Sequence, residues 1–348
     1  MYVGSERCNF FSVAVGDHVG PPGLMKQFLK GMDEAGFNPN VSPIDAKTVP
    51  EFVERSARLA KMDEQGVEAA LMLPTAGVGI EPQLRSEPPL LYATLRAFNR
   101  WLEEDWGYGA DARIYGAPMV SLVDLDEAVA EFDRVVAAGA RFVVLTAGPI
   151  DGRSPADPYY DAFWARVEEA GVPLVYHIGS TPFGAMYNTP WGLRANPPSH
   201  RHSLMEYALS FTNRPIEDTL TALIADNLFG RFPRLKIVSV EYGSYWVGPM
   251  LTKLDKICML ASKDLWRFGV PPLMPSETFK QNVWVVPFYE DDVVDLVDRI
   301  GADRVLAGSD YPHPEGLAEP SEFAEELEGL GTADVRKILR DNMAGLVA

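Results

Sequence analysis

The sequence predicts an α/β protein built as a (β/α)8 barrel, with inserted βα loops and a first strand that is either diverged or missing. Three observations carry this reading. Short apolar, β-branched runs alternate with amphipathic helical patterns along most of the chain, the signature of βα repeats around a parallel sheet. Seven such runs are clear, more than a small doubly wound sheet needs. No G-x-G-x-x-G follows any of them, so a dinucleotide-binding fold lacks its phosphate-binding turn.

In order, the runs lie at residues 67–74 (VEAALMLP), 114–122, 141–146 (RFVVLT), 173–178 (PLVYHI), 236–240 (KIVSV), 283–287 (VWVVP) and 304–307. Each suits a strand buried on both faces. Residues 10–15 (FFSVAV) are the candidate first strand, which makes the others strands two to eight. Helical patterns occupy 50–64, 124–138, 162–170, 216–228 and 291–300, with Gly66, Gly139, Gly171, Gly230 and Gly301 as expected C-terminal caps. Residues 179–215 and 247–281 are long for connections and read as insertions over the active face, the second with a helix at 250–262. Residues 19–49, rich in Pro and Gly, read as a lid on the same single domain, 1–348.

Composition narrows the function. Lys plus Arg number 31 against 49 Asp plus Glu, a net charge of −18, which disfavours nucleic acid and anionic membranes as partners. Two cysteines, Cys8 and Cys258, form no disulfide framework, no apolar run reaches the roughly 18 residues of a membrane span, and the start lacks a signal-peptide pattern. A cytoplasmic enzyme acting on a small molecule is the expectation.

Chemistry gathers at strand ends. His177 ends 173–178, Glu241 follows 236–240, and Asp310 follows the last strand; a histidine and two carboxylates suit a divalent ion with open positions. His313, three residues beyond Asp310 between two prolines, reads as a positioned substrate-contacting group. His18, after Asp17, is either a further ligand or part of a turn. His200 and His202 form His-x-His in a loop and read as solvated or substrate-facing rather than as ligands. The aromatic side chains of Phe183, Tyr187 and Trp191 favour a flat, apolar substrate. No serine elbow, Cys-x-x-Cys or phosphate loop is present.

Four further stretches, ARLAKMDEQGVEA (57–69), FPRLKIV (232–238) with EYGSYW (241–246), GSDYPHPEG (308–316) and the tail VRKILRDN (335–342), resemble the amidohydrolase family 2 branch of the amidohydrolase superfamily, which includes aminocarboxymuconate-semialdehyde decarboxylase-like enzymes. The resemblance runs from about Glu51 to the C-terminus. It implies a metal-centred barrel holding one divalent ion, zinc first, with manganese or iron as alternatives. It implies His177 as the strand-five ligand and Asp310 as the strand-eight ligand that also handles the proton. Glu241 stands where other branches place a histidine, and His313 helps bind or orient substrate. A homodimer is implied, with contact through one of the two insertions.

The family's opening Asp/Glu/His-x-His motif is not found near the start. Either residues 10–18 are a diverged first strand, or the chain starts downstream of it. The leading functional expectation is non-oxidative decarboxylation of an aromatic or unsaturated carboxylic acid. Hydrolysis of an amide, ester or lactone uses the same residues and is the first alternative. A barrel that lost part of its metal site and binds without catalysis is the second.

Overall fold

The computed structural model describes residues 2–3, 6–7, 18–29, 44–74, 77–179, 181–195, 197 and 202–348. The expected first strand at 10–15, Asp17 and His200 lie outside these residues.

The described strands fall into two groups. β1 (Tyr2–Val3) pairs antiparallel with β2 (Glu6–Arg7), and β3 (His18–Val19) with β4 (Ile44–Asp45). The other six run parallel. β5 (Ala70–Met72) pairs with β6 (Ile114–Gly116), while β7 (Val143–Leu145), β8 (Leu174–His177), β9 (Ile237–Val240) and β10 (Val283–Val285) form a sheet in that order. Isolated parallel bridges, Met119 to Val144 and Val285 to Val305, carry the series on at both ends. Spatial order therefore follows chain order throughout, as consecutive βα units require, and the fold is mixed α/β.

Alternation along the strands sorts the core into two layers. Val144, Val175, Val238 and Leu306 belong to an inner cluster with Phe142 and Met119. Their neighbours Val143, Leu145, Leu174, Tyr176, Ile237 and Val305 join an outer cluster packed on the helices, with Phe132, Phe163, Trp164 and Leu220. Both faces of β6 to β9 are almost wholly buried, which is why these strands read as unbroken apolar runs. His177, two residues beyond Val175, falls on the inner side of β8 by the same alternation.

The helices follow their local chemistry. In Leu125–Ala137 the buried positions Ala128, Glu131, Phe132 and Val135 repeat at helical spacing. Asp124 caps its N-terminus by accepting from the Glu127 amide at 3.1 Å. Asp161–Ala170 ends on Gly171 at φ 66°, the left-handed cap expected there. Asn99, fully buried, donates to the Met119 carbonyl and to Glu131 and accepts from the Met119 amide, each at 2.8 Å.

Some expectations are corrected. The strands are shorter than the apolar runs, because the paired ladders span only three or four residues in β5 to β10 before the chain turns. Residues 304–307 form a single bridge at Val305 rather than a strand, following a 3-10 turn at Ala302–Arg304. The helix expected at 50–64 breaks at Glu54, whose extended backbone separates Pro50–Val53 from Arg55–Glu64. The helix at 216–228 instead spans Arg214–Ala225, and Gly230 lies inside a further turn, Leu228–Arg231, so it is no cap. Left-handed Asn227 (φ 58°) redirects the chain there, a role asparagine tolerates. Residues 250–262 belong to the helix Val247–Leu260.

Candidate metal centre

Three loops meet beyond β8, β9 and Val305. His177 closes β8 with its side chain 8% exposed. Its Nδ1 lies 2.7 Å from the Ile178 carbonyl and so donates to it, which leaves Nε2 facing Glu241 Oε2 at 2.8 Å. An imidazole oriented by a backbone carbonyl, with its other nitrogen aimed at a site, is the arrangement a metal-ligating histidine needs. Burial opposes charging His177, but Glu241, the Ile178 carbonyl and Asp310 together raise its pKa above the ordinary value.

Glu241 and Asp310 share an uncommon backbone. Both adopt left-handed φ, 62° and 53°, which non-glycine residues keep only when their surroundings impose it. The turn after Glu241 is held by Asp291, which accepts from the Ser244 amide, the Ser244 hydroxyl and the Phe288 amide at 2.6, 3.0 and 3.1 Å. Tyr242 Oη donates to the His177 carbonyl at 3.1 Å and ties the two strand ends together. The Asp310 loop closes on itself through Leu317 N to Ser309 O (2.7 Å) and His313 N to Asp310 O (2.8 Å). Gly316 is required in that loop, since a Cβ there would lie 2.5 Å from the Ser309 oxygen.

Glu241, Asp310, His313 and Glu315 each bring one ligand atom within 4.8 Å of the others. His313 Nδ1 lies 3.1 Å from Asp310 Oδ1. Burial and the Glu241 charge raise the Asp310 pKa against the pull of His313 and His177. Burial works against a charged His313, yet Asp310, Glu241 and Glu315 outweigh it and push its pKa up to about 9. Carboxylates crowded in this way repel unless protons or a cation lie between them, so the donor set fits a divalent ion.

A histidine raised in the fold contributes stability that is fully present below its unfolded pKa and is lost as pH rises through its folded value. In the metal-free protein the His313 ring proton is therefore expected to titrate by NMR with a midpoint near 9. The midpoint is expected to move back toward the ordinary histidine range in Asp310→Asn. A midpoint in that range in the unsubstituted protein would overturn the pairing.

The structure brings His177, Glu241, Asp310 and His313 together. It adds Glu315, which carries no sequence signal in a chain with 49 acidic residues. It also adds a narrow cleft beside His177 lined by Val78, Met119, Val144, Thr146, Gly179 and Thr181. Phe183 is buried and stacks on Tyr187 with ring centroids 5.5 Å apart; Tyr187 Oη donates to Asp218 at 2.7 Å under the Arg214 guanidinium. Trp191 is 67% exposed. His202 is half-buried, with its ring against those of Tyr207 and Phe211 at 4.8 and 4.5 Å, and it lies outside the cluster. His18 lies in β3 opposite Asp45, and its side chain is outside the described set. Within residues 20–29, the Met25 amide donates to the Pro314 carbonyl (2.8 Å) and Lys26 pairs with Glu322 (2.7 Å), so this stretch lies against the His313 loop. No helix among the described residues is long and apolar enough to cross a membrane.

Three known proteins show what the chain is similar to. An amidohydrolase from Mycobacterium avium subsp. paratuberculosis K-10 shares 38% identity over 95% of this chain and 84% of its own, with a TM-score of 0.86. The gamma-resorcylate decarboxylase of Rhodococcus jostii (strain RHA1) is 26% identical over 90% of this chain and 93% of its own. A dihydroxybenzoic acid decarboxylase from Polaromonas sp. JS666, solved with bound manganese and the inhibitor 2-nitroresorcinol, shares the fold at 19% identity, covering 95% of each chain with a TM-score of 0.62. The sequence profile of the amidohydrolase family matches residues 36–346, and the chain belongs to that family.

Proposed function

We propose that the chain is a metal-dependent, non-oxidative decarboxylase of an aromatic carboxylic acid bearing a hydroxyl beside the carboxyl group, built as one closed (β/α)8 domain. The observation that carries this is the convergence of His177, Glu241 and Asp310 just beyond β8, β9 and the Val305 bridge, in a chain that aligns along 90% of its length with a gamma-resorcylate decarboxylase.

In this reading His177, Glu241 and Asp310 hold one divalent ion, with Glu315 and His313 beside them. An oxygen-rich set of this kind suits manganese as well as zinc, and elemental analysis of the purified protein separates them. When bound, the ion supplies an electrophilic anchor for the substrate's carboxylate and its neighbouring oxygen. The narrow cleft beside His177 places apolar Val78, Met119 and Val144 next to the cluster, a wall suited to an apolar substrate. Asp310 carries the proton to the ring carbon that loses the carboxyl group, so a carboxylate and a proton become an arene and CO2. His313, bonded to Asp310, steadies that carboxyl and contacts the substrate. Phe183, Tyr187 and Trp191 on the insertion after β8 stand as the outer aromatic contacts. A homodimer would bury the exposed Ile257, Met259, Leu260 and Leu265 of the second insertion.

The hydrolase reading uses the same residues, with Asp310 accepting a proton instead of giving one, and the 38% identical relative is described as an amidohydrolase. A panel of ortho-hydroxybenzoates assayed for CO2 release, beside a panel of esters, lactones and amides, separates the two. Release of CO2 from at least one hydroxybenzoate is expected; turnover confined to the second panel would reject decarboxylation.

A further inference from the structure

Tyr311 follows Asp310 directly, and the left-handed backbone of Asp310 has to be imposed from outside it. The loop's own hydrogen bonds hold its chain path. The Tyr311 side chain is gripped instead by the segment before β5. The Phe52 ring meets it edge-on with centroids 6.3 Å apart and an interplanar angle of 80°. The Glu51 charge lies close enough to its hydroxyl to help hold the phenol neutral. The Arg58 guanidinium carbon lies 4.8 Å from the ring centroid. Arg58 Nε is buried and meets no acceptor among the described residues, so a hydrogen bond at that atom does not explain where the guanidinium sits. Its defined contact is the face of Tyr311, a cation–π geometry.

We propose that Arg58 is a positioning residue: by stacking on Tyr311 it holds the Asp310 carboxylate in register with Glu241 and His313. The inference rests on reading that cluster as the metal centre, and it is independent of which reaction the centre performs. Helix Arg55–Glu64 carries no ligand of the cluster, yet it sets the orientation of one.

The test is Mn2+ binding by calorimetry to the full, metal-stripped chain, with kcat and KM measured on whichever substrate proves active. A cation–π contact of ordinary strength predicts that Arg58→Ala weakens Mn2+ binding by about 10-fold. A similar fall in kcat is expected, with KM changed by less than about twofold, since the contact acts on the reacting group and not on substrate uptake. Arg58→Lys should recover most of both, because an ammonium also sits on a ring face. The double variant Arg58→Ala, Tyr311→Leu should be no worse than Tyr311→Leu alone, because the two act in series. Unchanged Mn2+ affinity in Arg58→Ala, additive losses in the double variant, or a loss that Lys does not rescue and that follows a lowered Tm would each overturn the proposal. A wild-type chain that binds neither Mn2+ nor Zn2+ overturns the metal-centre reading itself, and is distinguishable from the other results.

Discussion

Asp310→Asn is expected to reduce CO2 release by about 10³-fold, within the range that a positioned proton carrier contributes. The substitution preserves shape, so the loop from Ser309 to Leu317 keeps its bonds. It removes the transferable proton and one negative charge from the cluster with Glu241, His313 and Glu315. The loss should therefore appear in kcat and kcat/KM alike, as for an interaction made in the transition state. Elemental analysis adds a second arm. His177→Ala deletes the imidazole beside Glu241 and is expected to empty the site, whereas Asp310→Asn retains part of its metal. Measured by CO2 evolution and metal content together, activity that survives both substitutions would remove the catalytic assignment. Metal retained in His177→Ala would remove the ligand assignment.

The largest expected effect on stability lies at Asn99. Its amide satisfies both the N–H and the C=O of Met119 and one oxygen of Glu131, whose side chain is 1% exposed. Met119 is also the residue that bridges to Val144 and lines the cleft beside His177. Asn99→Leu leaves these groups buried without that partner, at about 1–3 kcal/mol for each orphaned group, so a total near 3–5 kcal/mol is expected. Arg134, bonded to Glu131 at 2.8 and 3.0 Å, limits the loss on that side. Asn99→Asp is nearly isosteric but should do no better, because a carboxylate cannot donate to the Met119 carbonyl or to Glu131. Urea unfolding gives the comparison; a midpoint unchanged within error for Asn99→Leu would show that this network contributes little.

Much of the site was readable because three polar side chains each follow an apolar strand, where a polar group has a cost unless it has a task. His177, Glu241 and Asp310 stood out for that reason. His313 stood out through the prolines flanking it. Glu315 did not, since a glutamate in a loop of an acidic chain looks like solvated surface until the loop folds back on Asp310. Asn99 was equally silent: within the amphipathic pattern of Pro88–Asp105 it reads as a polar position, and only the packing of Met119 against it reveals an internal bond. Arg58 lay inside a stretch that carried the family resemblance, but its contact with Tyr311 spans more than 250 positions of sequence. The helix limits failed where a break needs no glycine or proline, as at Glu54, or where asparagine takes the turn, as at Asn227. The mixed α/β class was readable from alternation alone, because consecutive βα units repeat one local pattern.

That consecutive order has a consequence for how the protein assembles. Each strand from β5 to β10 pairs with a near neighbour in the chain, so most of the sheet forms through short loop closures. The links between the two ends are different in kind: Arg340 with Glu68, Gln65 with the Ala318 carbonyl, and Lys26 with Glu322 join residues 272, 253 and 296 positions apart. These contacts carry the greatest closure entropy and belong to the last steps of folding. Asp310 and His313 follow the Val285–Val305 bridge, a short-range step like those that pair β8 and β9, but the bond from the Met25 amide to the Pro314 carbonyl ties their loop to residues far back in the chain. The loop that carries them is thus braced by contacts of the longest range, and a cation that binds only the folded cluster draws the folding equilibrium toward the braced form.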